Sequence, residues 1–89
     1  MHTTIGTNIP TPVPAASAAN KATVAAIATN LTTLRTILDD AAICAAEADG
    51  FMAAGDRNAA VGSILMLEQS LADVGALHRA ILLLHRRAG

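Results

Sequence analysis

The chain has no tryptophan and no tyrosine, and Phe51 is its one aromatic residue. Its 53% hydrophobic content is therefore carried largely by alanine, which buries little area per residue and lets helices approach closely. At about 25 cal/mol per Å² of apolar surface, an alanine-rich pair of helices has little with which to offset its ordering entropy. Cysteine is nearly absent too. Cys44 stands alone, which excludes a disulfide framework within one chain, and no base lies near it in sequence to activate it as a nucleophile. A lone cysteine beside an apolar seam reads as a small hydrophobe.

Charge of either sign is scarce: six Lys and Arg against seven Asp and Glu give a formal net charge of −1. That balance argues against a protein that coats nucleic acid, which carries a basic excess. No uninterrupted apolar run reaches the ~18 residues of a membrane span, because Glu68, Gln69, Asp73, His78 and Arg79 interrupt the most apolar stretch. The start, Met1-His2-Thr3-Thr4-Ile5-Gly6, lacks the basic region and apolar core of a signal peptide. A cytoplasmic protein is the expectation, with no membrane partner. Glycines are not clustered into a phosphate loop, and no Glu-x-x-His pair marks a diiron bundle. No enzyme activity and no cofactor are expected.

What is present is helical periodicity. Residues 1–14 form a leader in which Pro10, Pro12 and Pro14 alternate with Thr11 and Val13, a pattern that holds the backbone extended. Ile5, Ile9 and Val13 are the leader residues able to dock on a neighbour. A first helix is expected over about 15–54. Val24, Ile27, Leu31, Leu34, Leu38, Ala41, Ala45, Ala48 and Met52 keep an alternation of three and four residues, the signature of a coiled-coil seam. Ile37, Cys44 and Phe51 add a row one position before it. Threonines lower the intrinsic helix preference of the first half, so packing must hold it.

Gly50 and Gly55 compete to end this helix. Gly55 is preferred, because Asp56 after it supplies a cap for the next helix. The turn is expected at about 55–57 and a second helix over about 58–87. Ala60, Ile64, Leu67, Leu71, Val74, Ile81 and Leu82 form its buried stripe, with His78 and His85 near the centre of that stripe. Leu77 and Leu84 offer an alternative track beyond Val74. The fold class is thus all-α: an antiparallel two-helix hairpin, coiled-coil-like, with an extended Pro-rich leader, assembling into a helical bundle.

Assembly is expected because a second apolar row, Leu65, Ala72, Ala76 and Leu83, has no partner within one hairpin. With Phe51 it forms the candidate oligomer interface. The expected partner is another copy, or another helical protein. Folding back at Gly55 gathers Lys21, Arg35, Arg79, Arg86 and Arg87 toward the open end as candidate anion-binding residues. Cations in a last helical turn also complement the negative helix end. His78 and His85 are weak metal candidates: two turns apart, about 10.5 Å along the axis, they cannot share one ion within a chain. The function expected is a small non-enzymatic structural or interaction module acting through self-assembled helix faces. The alternative is an oligomeric regulator that captures a nucleotide or RNA at the arginine-rich end.

Overall fold

The computed structural model describes residues 15–88, with side chains from residue 18. The leader and the expected docking of Ile5, Ile9 and Val13 lie outside the described residues. The chain is an all-α hairpin. Helix α1 spans Ala15–Ala53, α2 spans Arg57–Leu65 and α3 spans Leu67–Ala88. Helices α2 and α3 form one bent arm that runs back along α1.

Helix α1 tolerates its threonines because four of them bond to their own helix. The hydroxyls of Thr23, Thr32, Thr33 and Thr36 donate to the carbonyls of Ala19, Ala28, Thr29 and Thr32, four residues back. This satisfies each hydroxyl without a tertiary partner. The helix ends in a Schellman turn. Gly55 takes φ 83°, the left-handed conformation that only glycine adopts cheaply. Its amide donates to the carbonyl of Met52 at 3.0 Å, and the Asp56 amide donates to that of Phe51 at 2.8 Å. Asp56 then caps α2, its carboxylate accepting from the Ala59 amide at 3.0 Å.

The seam between the arms is narrower and polar in more places than the expected one. On α1 the half-buried or buried row is Thr23, Ile27, Asn30, Leu34, Ile37, Ala41, Cys44 and Ala48. Facing it are Ala60, Ser63, Leu67, Ser70, Val74, Leu77, Ile81, Leu84 and Ala88. Both rows keep strict three–four spacing. Among the described residues only Ala48 and Ala60 are truly buried, at 5% and 4% exposure.

The expected seam is therefore half right. Ile27, Leu34, Ala41 and Ala48 do turn inward, but Val24, Leu31, Leu38, Ala45 and Met52 stay exposed. On the second arm Ala60, Leu67, Val74 and Ile81 turn inward, whereas Ile64, Leu71 and Leu82 stay out. His78 and His85 are exposed as well, and the Leu77–Leu84 track takes their place. Near the bend the hairpin closes through Ala41, Cys44, Ala48, Ala60 and Ser63, whose small side chains let the two backbones come close, while toward the open end the same rows are filled by Ile27, Leu34, Ile37, Leu77, Ile81 and Leu84.

The second arm is not the single helix expected. It breaks at Met66, whose amide turns to Ser63 O at 3.2 Å, a three-residue closure. Gly62 lies one turn before the break. The carbonyl of Ser63 also accepts from the thiol of Cys44 on α1, at 3.0 Å. A side chain that inserts into the helical ladder is a recognised cause of a kink.

Candidate interaction face

The rotation of the arms decides which residues the hairpin displays. Cys44 facing Ser63 fixes the register. In an antiparallel pair the residue one place after each inner position lies on the same side for both helices. That side carries Val24, Leu31, Leu38, Ala45 and Met52 from α1, spaced by seven. From the second arm it carries Arg57, Ile64, Leu71, His78 and His85, again spaced by seven. The two rows meet where the turn brings the arms together. There an open apolar groove of about 380 Å³ is lined by Ala45, Ala48, Asp49, Met52, Ala60, Val61 and Ile64.

The opposite side is different in character. Thr33, Asp40 and Glu47 from α1 and Met66, Asp73 and Arg87 from the second arm flank the seam there, and Gln69 donates to Asp73 at 2.8 Å. The two flanks thus differ, the second being the more charged, a division invisible until the inner rows are known.

The residues singled out for assembly are placed as follows. Leu65, Ala72, Ala76 and Leu83 are all exposed, Leu65 at 67%. They run along the outer and more charged side of the second arm, away from Ile64 and Leu71. Phe51, 40% exposed, lies at the turn end of α1 and does not join that row. The exposed apolar row at seven-residue spacing on α1 is the feature sequence reasoning assigned to the seam instead; its spacing was the signal.

The candidate anion residues share an end only in part. The register brings Lys21 to the axial level of Arg86 and Arg87, all three exposed. Arg79 lies two turns nearer the bend, its guanidinium 3.4 Å from where a Cβ on Gly75 would sit. Arg35 is held instead by Asp39, one turn on, at 3.9 Å; both side chains are highly exposed, and such a pair contributes little. The concavities at the groove and at Gly55, Asp56, Arg57 and Asn58 both lie at the turn end, far from Arg86 and Arg87. Among the described residues no three His, Cys, Asp or Glu side chains cluster as a metal site. His78 and His85 remain two turns apart on one row.

One segment bears on membranes. Counted through the break, Arg57–Ala88 contains an 18-residue window of mean hydropathy 1.2, only 6% of it buried. By length and composition it is able to cross a bilayer, which the interruption by Glu68 and Asp73 had argued against. Compared with protein-family models, curated proteins and solved structures, the chain matches none of them.

Proposed function

We propose that this chain is a non-enzymatic interaction module that works by self-assembly of its helix faces. The observation that supports it is the mismatch between core and surface. The hairpin buries two alanines while Val24, Leu31, Leu38, Ile64 and Leu71 stay between 47% and 60% exposed. A small domain of that kind gains little from its own core, and contiguous apolar surface marks an interaction site. Sedimentation equilibrium at micromolar concentration tests it: a dimer or larger species is expected, and a well-folded monomer would rule it out.

A second reading, capture of an anionic ligand such as a nucleotide or RNA, draws on the shared level of Lys21, Arg86 and Arg87. Arginine forks suit phosphate. The same end of α3 is where cations stabilise a helix without any ligand, so the first reading is preferred.

A further inference from the structure

We infer that the occupant of the apolar flank is a second copy of this chain, lying with its bend at the opposite end, so that each α1 faces the other α1 across a two-fold axis at Leu38. This deepens the self-assembly reading and rests on it.

Shape argues for a copy of the hairpin. The arms overlap over residues 60–88 of the second arm, roughly 43 Å at 1.5 Å per residue. Two helices side by side, each about 10 Å across, make a face about 20 Å wide and roughly 850 Å² in footprint, comparable with the ~800 Å² each partner contributes to a standard interface. The α1 row runs that whole length, and with Ile64 and Leu71 beside it on the second arm the face matches another two-helix arm, giving a four-helix bundle.

The α1 row also maps onto itself. Leu38 is its middle member, with Val24 and Leu31 on one side and Ala45 and Met52 on the other. A two-fold axis at Leu38, perpendicular to the helices, sets Val24 against Met52 and Leu31 against Ala45. Large side chains then meet small or flexible ones, the alternation that interdigitating layers need. The register places Leu71 beside Leu38, so the second arm also has an apolar residue at the axis.

Charge decides the direction. On this flank the half toward the bend carries the carboxylates Asp49 and Glu68 and one cation, Arg57, a net negative charge. The cation Lys21 and the two histidines lie in the open half, and Arg35 stands just on the open side of the middle. A copy with its bend at the opposite end lays the acidic half on the basic half. A copy with its bend at the same end lays the Lys21 and Arg35 half against its own counterpart, and Asp49 and Glu68 against theirs. Opposed potentials fix orientation at helical interfaces in this way.

Disulfide trapping tests the arrangement in the full chain with Cys44→Ser, whose hydroxyl can still donate to Ser63. Leu38→Cys is expected to form a disulfide-linked dimer on mild oxidation. Val24→Cys and Met52→Cys are each expected to stay unlinked alone and to link when mixed. Circular dichroism before oxidation confirms that each variant is helical. A dimer by sedimentation in which Met52→Cys links to itself would overturn the arrangement while leaving self-assembly intact. A monomer by sedimentation would remove both. Co-sedimentation with phosphatidylcholine–phosphatidylglycerol vesicles by an otherwise monomeric chain would assign the flank to a lipid surface and also overturn it.

Discussion

The thiol of Cys44 donates across the hairpin to the main-chain carbonyl of Ser63 at 3.0 Å, and three residues beyond Ser63 the second arm breaks at Met66. In an unbroken helix that carbonyl would serve the Leu67 amide, so the thiol competes with the helical ladder for one acceptor. Cys44→Ala is therefore expected to let the α-helical bond re-form and to slow hydrogen exchange at Leu67. Loss of one hydrogen bond costs about 1 kcal/mol, and the regained helical bond offsets part of it, so the melting temperature should fall only slightly. Unchanged exchange at Leu67 would mean that the break has another cause.

Two glycines give opposite signs. Neither Gly50 nor Gly55 has an atom within 4 Å of where a Cβ would sit, so space does not distinguish them and backbone conformation does. Gly55→Ala places a side chain at φ 83° and should destabilise the protein by about 1–2 kcal/mol. Gly50 is helical, and Gly50→Ala should stabilise it by about 1 kcal/mol. Urea denaturation of the two variants compares them directly, and equal effects would contradict the turn geometry.

The cap on α2 is a third measurable element. Asp56→Ala removes the acceptor for the Ala59 amide and should cost about 1 kcal/mol. Asp56→Asn keeps an oxygen in the same place and should retain most of that stability. If both variants melt alike, the side-chain bond contributes nothing.

The hairpin and its turn were legible because they rest on local chemistry: seven-residue spacing, then Gly55 followed by Asp56. The rotation of the arms was not. Two tracks share Ile27, Leu34, Ala41 and Ala48, and the choice between their flanks falls to Val24, Leu31 and Leu38 or to Thr23, Asn30 and Ile37. Ranking by apolarity selects the first set for the interior. Near the bend, close approach of the backbones favours the small side chains Cys44 and Ser63. His78 and His85 share a row with Ile64 and Leu71, so they turn outward with that row, and Leu77 and Leu84 take the inner positions. The break at Met66 had one local signal, Gly62 a turn before it, whereas the thiol that meets it lies nineteen residues away in sequence.

The arginines at the end of α3 separate two physical accounts. His85, Arg86 and Arg87 form the last basic turn of that helix, where carbonyls without helical partners face solvent. If the arginines act there, each contributes about 0.3–1 kcal/mol, and replacing both Arg86 and Arg87 with Gln lowers the melting temperature modestly. Inorganic phosphate then has no saturable effect on either protein. If instead several cations converge on a ligand site, they repel one another when it is empty. The double Gln variant would then be as stable as the parent or more so, and phosphate would raise the parent's melting temperature but not the variant's. The structure spreads the candidates: Arg35 sits beside Asp39, Arg79 lies over Gly75, and only Lys21 shares the level of Arg86 and Arg87. Three exposed cations hold an anion poorly against water. The expected result is a small loss of stability in the double variant and no phosphate response, read by thermal melts across a phosphate titration at constant ionic strength. A saturable shift that the variant loses would reverse the assignment and make the open end a binding site.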